Sequence, residues 1–254
     1  MDLQLKGRRA FVTGSTRGIG RAITHRLAEE GCSLAICARD ANQVAEAARA
    51  LEKKGTMVFA RAVDVADRSA LEAWIGEGAR ALGGFDIFVA NASGLAASAA
   101  PAEFRKGFDI DLMQVVTGVG AALPMLEMSD AGAVIAIASI SGVEDYGYSE
   151  SAYGAMKAAL LFYMKSLSRK LAKKGIRANA VSPGPIYFEG GFWHDVERND
   201  PKLFHSILEQ NAMHRMGTPE EIANVVAFLA SPMASYVTGA NVVVDGGHTR
   251  RIQN

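Results

Sequence analysis

The sequence is short of cysteine, of tryptophan and of net charge. Two cysteines in 254 residues exclude a disulfide scaffold. Cys32 and Cys37 stand at the two ends of one apolar run. On an extended strand they are too far apart to bridge, so both read as small buried hydrophobes. Lysine plus arginine equals aspartate plus glutamate at 27 each, so no long-range field favours nucleic acid or an anionic membrane. His194, His205 and His214 are scattered without metal-ligand neighbours, and no metal site is expected. No uninterrupted apolar segment reads as long enough to span a bilayer. Met1–Gly7 lacks the apolar stretch of a signal peptide. A cytoplasmic protein that binds neither nucleic acid nor membrane is expected. There is no internal repeat, low-complexity tract or Pro/Ser-rich linker.

What is present is alternation. Short apolar or β-branched runs (Arg9–Thr13, Ser33–Ala38, Met57–Val63, Asp86–Ala90, Ala133–Ala138, Arg177–Val181 and Val242–Val244) are separated by longer amphipathic ones. The latter predict helices over Gly18–Glu30, Ala41–Lys54, Arg68–Leu82, Pro101–Leu126, Ser151–Lys174 and Pro219–Ala230. Such alternation predicts an α/β class fold. Seven parallel strands, joined by right-handed crossovers, form a doubly wound sheet with helices on both faces in a single domain, residues 1–254. The strands are apolar throughout, as expected when both faces are covered. Pro183 to about Asn199 reads as the longest irregular stretch, followed by a short helical piece, Pro201–Asn211. Long excursions in compact domains are usually functional, so residues 186–216 are expected to form a lid within the domain.

The first strand leads directly into Gly14-Ser15-Thr16-Arg17-Gly18-Ile19-Gly20, and a helix follows. Glycines there let the backbone approach a pyrophosphate, and the helix N-terminus offers free N–H groups. The second strand ends Ala38-Arg39-Asp40. An acid at such a strand end suits the ribose of NAD; Arg39, with Arg17, suits the extra phosphate of NADP. Asp40 reads better as the cap of the next helix, so NADP is expected over NAD.

Tyr153 and Lys157 lie one turn apart on a helical stretch and share a face. An ammonium close to a phenol favours the phenolate, which lets the tyrosine exchange a proton with a carbonyl or alcohol oxygen. Ser139 lies just past the end of a predicted central strand, where open α/β sheets bind ligands, and its hydroxyl can bond the same oxygen. Alone, Tyr-x-x-x-Lys is common by chance; the combination with the glycine loop and the strand-end serine is specific.

Those residues resemble a short-chain dehydrogenase/reductase of the single-domain type, over essentially the whole chain, and are similar to 3-oxoacyl-thioester reductases. The resemblance implies a Rossmann-type fold, hydride transfer between nicotinamide and a carbonyl or secondary alcohol, and catalytic roles for Ser139, Tyr153 and Lys157. It implies that Asp64 and Val65 hold the adenine, that Asn91, Ala92 and Ser93 stand at an altered family turn beside the cofactor, and that Pro183, Gly184 and Ile186 flank the nicotinamide. It also implies that Tyr153 and Lys157 touch the cofactor and that the protein is a homo-oligomer, tetramer or dimer. The family usually has asparagine where this chain has Asp111; that asparagine holds a water in a proton relay past the lysine. A carboxylate there stabilises the ammonium and opposes the phenolate. Ser141 competes with Ser139 for the catalytic role and is otherwise a substrate-side residue. In the lid, Phe188, Phe192 and Trp193 are expected to line an apolar substrate pocket, with Gly190-Gly191 as a hinge. Two other readings are a non-catalytic NADP(H)-binding sensor on the same fold and an epimerase or dehydratase of the family's longer branch. The chain has both tyrosine and lysine, which argues against the first, and no room for the second's additional C-terminal region.

Overall fold

The structure is a computed structural model that describes residues 2–146 and 152–252. Its strands are β1 (Arg9–Thr13), β2 (Ser33–Ala38), β3 (Val58–Ala62), β4 (Ile87–Ala90), β5 (Ala133–Ile137), β6 (Arg177–Pro183) and β7 (Asn241–Val244). Its helices are α1 (Gly18–Glu29), α2 (Ala41–Glu52), α3 (Arg68–Leu82), α4 (Pro101–Gly107), α5 (Gln114–Leu126), α6 (Ala152–Ala172), α7 (Phe192–Asn199), α8 (Pro201–Gln210) and α9 (Pro219–Ala230). The strands form one parallel sheet in the order β3-β2-β1-β4-β5-β6-β7. The chain winds outward from β1 to β3, then returns to β4 on the other side of β1. This reversal opens a crevice beyond the carboxyl ends of β1 and β4, where ligands bind in such sheets.

Alternate strand residues face opposite layers. Phe11, Ala35, Phe88 and Val134 join Trp74, Val119 and Leu160 in one core. Val12, Ile36, Val89 and Ile135 join Ile23, Leu27, Ile222 and Val226 in the other. Phe11 stacks on Phe85 at 3.9 Å and meets Trp74 edge-on at 5.5 Å. Cys32 and Cys37 are free and buried within these cores, and burial pushes the Cys32 thiol up to about 12. The opposite end of β1 is clamped to β4. Asp86, with its side chain fully buried, accepts bonds from Arg9 N (2.8 Å), Nε (2.6 Å) and Nη2 (2.7 Å) and from Ser129 Oγ (2.6 Å). Burial alone would raise the carboxyl's pKa; the bonds from Arg9 and Ser129 outweigh it and hold the group below its ordinary range.

Two expectations need correction. Pro101–Leu126 is not one α-helix: α4 and α5 are joined by a π-helical turn, Phe108–Met113. The wider turn brings Asp111 inward, where it is buried against Lys157. The run of 26 residues is interrupted by Glu103, Arg105, Lys106, Asp109 and Asp111, and in the fold it packs against α3, α6 and β4. The stretch expected to be irregular from Pro183 to Asn199 contains α7. No side chain caps α7 and none of its residues is buried, so it leans on α8 rather than on a signal of its own.

Candidate active site

The phosphate loop is built by exclusion of side chains. A Cβ on Gly20 would lie 2.1 Å from Gly14 O and 2.4 Å from Asn91 Nδ2, so only glycine fits. Asn91 Nδ2 donates to Thr13 O (3.0 Å) and Gly14 O (2.9 Å), tying the end of β4 to the loop. Thr13 Oγ1 accepts the N–H groups of Asn91 and Ala92 and donates to Gln114 Oε1 (2.9 Å). Ser15 turns inward: its hydroxyl donates to Cys37 O (3.1 Å), and its side chain is wholly buried. Arg17 is the N-cap of α1 and its side chain makes no capping bond. The first-turn N–H groups of α1 therefore have no side-chain acceptor at the cap, the arrangement that suits an anion.

One cavity of about 1330 Å³ runs along the carboxyl ends of the strands. Gly14, Thr16, Arg17, Gly18, Ile19 and Gly20 line one stretch of it. Ala38, Arg39, Asp64 and Val65 line another, and Asn91, Ala92 and Ser93 lie on its floor. Pro183, Gly184 and Ile186 close the far side, and Ser141, Phe188, Phe192 and Trp193 complete the wall. Of the residues expected to surround cofactor and substrate, Ser15 does not line it. Asp40 caps α2, accepting from Asn42 N (2.8 Å) and Gln43 N (3.0 Å). Arg17 and Arg39 are exposed at the cavity rim, and neither is in an ion pair among the described residues.

Ser139 follows β5, and its Oγ accepts the N–H of Ser141 (3.1 Å), capping the short turn Ile140–Gly142. That turn docks on α6. A Cβ on Gly142 would fall 2.6 Å from the Lys157 carbonyl carbon and 2.7 Å from Ala158 N. The serine is thus held against the helical turn that carries Tyr153 and Lys157, and all three side chains line the cavity. Tyr153 N donates to Ala96 O (3.1 Å), anchoring the start of α6. Lys157 is 2% exposed. Its Nζ donates to Ile137 O (2.9 Å), lies 3.0 Å from Asp111 Oδ1 and stands 5.5 Å from the Tyr153 ring centroid. Asp111 Oδ2 accepts Gly94 N (3.1 Å). Asp111 is therefore behind Lys157 rather than on the cavity wall; any influence it has on the reacting atoms passes through the ammonium.

Phe188 sits directly over the phosphate loop. A Cβ on Gly18 would be 2.5 Å from its Cζ, and one on Gly191 2.8 Å from the same ring. The sequence reading missed several lining residues, among them Ile110, Glu144, Tyr146, Leu203, Ile207 and His248. They carry no motif and are brought in by tertiary packing alone. His248 directly follows the Asp245-Gly246-Gly247 turn, a position that gives it no signal in the sequence.

Residues 14–249 match the family model described as enoyl-(acyl carrier protein) reductase. The chain belongs to the short-chain dehydrogenase/reductase family. It is an oxidoreductase of that family, on the Rossmann fold that its relatives share. It is 40% identical over 246 residues to the isoepoxydon dehydrogenase of Aspergillus clavatus, spanning 96% of this chain and 95% of that one. It is 35% identical over 244 residues to the 3-oxoacyl-acyl-carrier-protein reductase of Staphylococcus aureus, spanning 94% and 96%. The crystal structure of L-sorbose reductase from Gluconobacter frateurii, complexed with NADPH and L-sorbose, matches with a TM-score of 0.91 at 32% identity, over 99% of this chain and 100% of that chain.

Proposed function

We propose that this short-chain dehydrogenase/reductase uses NADP(H) to interconvert a small carbonyl compound and its secondary alcohol, with Tyr153 as general acid and base. The observation that carries the reading is the convergence of Ser139, Tyr153 and buried Lys157 on the cavity that begins at the phosphate loop. The residues present fit a dinucleotide. The Gly14–Gly20 loop is stripped of side chains where a pyrophosphate would approach, and α1 opens with an uncapped N-terminus. Arg17 and Arg39 stand ready for a 2′-phosphate, and Asp40 is engaged in its helix cap. The NADPH in the sorbose reductase structure points the same way.

When bound, the nicotinamide supplies or accepts the hydride. The chain's own work is to hold and protonate the reacting oxygen. Ser139 donates to it, and Tyr153 gives its proton in reduction or takes one in oxidation. Lys157, fixed by Ile137 O and Asp111, places its charge beside the phenol. Residues 186–216 act as a lid, with Phe188, Phe192 and Trp193 toward the substrate. The names of the relatives, a sugar reductase and two enzymes of other oxygenated compounds, support a small carbonyl or alcohol substrate. Two buried, free thiols suit a reducing compartment such as the cytoplasm. Exposed Phe162 on α6 and Tyr236 after α9 support a homo-oligomer, tetramer or dimer.

The test is NADPH oxidation across a panel of small ketones with wild type and Tyr153→Phe. The variant is expected to lose at least about a hundredfold in kcat/KM while binding NADPH as tightly as wild type. NADPH binding without turnover of any ketone by wild type would favour the sensor reading instead. Arg39→Ala is expected to narrow the preference for NADPH over NADH by about tenfold or more, read as the ratio of kcat/KM values.

A further inference from the structure

Beyond β7 the chain makes a tight turn that fixes one side chain in the cavity. Asp245 Oδ1 accepts Gly247 N (3.0 Å) and Oδ2 accepts Thr249 N (2.7 Å), while Asn211 Nδ2 donates to Asp245 O (2.7 Å) from the end of α8. His248 N donates to Asp245 O (3.3 Å). The following residues are pinned to the loop after Ser139: Arg250 N donates to Glu144 Oε2 (3.2 Å), and Arg251 donates to Val143 O. His248 is consequently immobilised between two tied segments. It is 4% exposed, lines the cavity shared by Ser139 and Tyr153, and lies 5.1 Å from the Tyr146 ring.

The imidazole is underused where it sits. Its Nδ1 has no hydrogen-bond partner among the described residues. Burial holds the group's pKa below its ordinary value, against the pull of Asp245 and Glu144 and with the help of Arg250. It is therefore neutral near neutral pH, with one nitrogen a donor and the other an acceptor. Either ring nitrogen can carry the proton, so the imidazole can donate to or accept from a ligand group that reaches it. Tyr146 and Glu144 stand close to it, and the wider lining of the cavity includes the apolar Ile110, Phe192, Leu203 and Ile207. In such a pocket one well-placed polar group sets orientation and selectivity.

Strand order fixes the distance scale. Ser139 follows β5 and His248 follows β7, two strand spacings along the sheet, on the order of 10 Å. Arg39, after β2, is at the other end of the crevice. His248 thus faces the substrate end, within reach of a small molecule held at Ser139 and Tyr153.

We infer that His248 is a specificity-determining residue that hydrogen-bonds a hydroxyl of the substrate remote from the reacting carbon, which makes the substrate class small hydroxylated carbonyl compounds rather than plain alkyl or acyl ones. This rests on the proposed oxidoreductase site for the substrate's position. A buried site built to bond a hydroxyl discriminates against an analogue that lacks it, because its own polar group is then left unpaired.

The test uses a near-isosteric pair, 4-hydroxy-4-methylcyclohexanone, whose tertiary hydroxyl cannot be oxidised, and 4,4-dimethylcyclohexanone, titrated calorimetrically into the protein–NADP+ complex. Wild type is expected to bind the hydroxy ketone about tenfold or more tighter than the dimethyl one. His248→Leu is expected to abolish that preference, and His248→Gln to restore part of it, with NADP+ affinity unchanged in both as the check on folding. A preference that survives in His248→Leu, no preference in wild type, or no binding of either ketone at millimolar concentration overturns the inference. NADPH oxidation with the same pair reports separately on the oxidoreductase reading, since binding discrimination does not require turnover.

Discussion

At the scale of single residues, the site turns on Asp111. The family resemblance drew attention to it as a carboxylate where an amide is usual, and the structure gives the substitution a partner. Asp111 and Lys157 are both buried and in contact at 3.0 Å. Removing one member of such a pair strands the other charge, and Asp111→Ala is expected to destabilise the protein by about 3–5 kcal/mol, measured by denaturant unfolding. Asp111→Asn keeps the shape and removes the negative charge that opposes the phenolate. Steady-state kcat is then expected to change by about threefold or more with NADPH affinity within a few-fold of wild type; an unchanged kcat would show that the carboxylate has no influence on Tyr153 through Lys157. Tyr153, Lys157, Ser139 and the glycines were legible in the sequence because each has a fixed local context. That Asp111 forms an ion pair with Lys157 was not, because the contact depends on a π-helical turn that no periodicity announces.

At the scale of elements, the site is held by close approaches. The turn after β5 lies so near α6 that Gly142 has no space for a methyl group against the helix backbone. Gly142→Ala must push Ser139 away from Tyr153 and Lys157. A loss of about a hundredfold in kcat, with NADPH affinity within a few-fold of wild type, is the expected result of steady-state kinetics and cofactor titration. The strands, most helices and the Asp40 cap were readable from apolar runs, amphipathic spacing and capping chemistry. The segment 186–216, proposed as a lid, was readable only as an excursion. Its helix α7 lacks a cap and a buried face, so packing on α8 defines it, and its Gly-Gly start reads as a hinge. Phe188 was expected toward substrate; its contact with Gly18 adds a second allegiance, to the phosphate loop.

At the scale of the molecule, the sheet carries stability at its amino ends and chemistry at its carboxyl ends. The clamp of Asp86 with Arg9 and Ser129 closes the first of these. Because the folded carboxyl is held below its ordinary value, its contribution is fully present above about pH 4 and is lost as pH falls through the folded value. Asp86→Asn is expected to cost about 3 kcal/mol at pH 7, on the order of 8 °C in Tm, and the gap to wild type is expected to narrow below about pH 4 in thermal scans. The doubly wound topology was legible from the order of runs, since parallel strands need crossovers and crossovers have one hand. Part of the cavity lining was not, because it is assembled from segments as distant as Ile110, Tyr146 and His248.

The cavity's extent from the phosphate loop to Tyr153, beneath the segment proposed as a lid, has a consequence for traffic. Phe188 rests on the phosphate loop, so the two ends of the cavity share one covering side chain. In a protein working as proposed, Phe188 has to leave Gly18 before a dinucleotide can be exchanged, so cofactor traffic and substrate traffic are coupled through one ring.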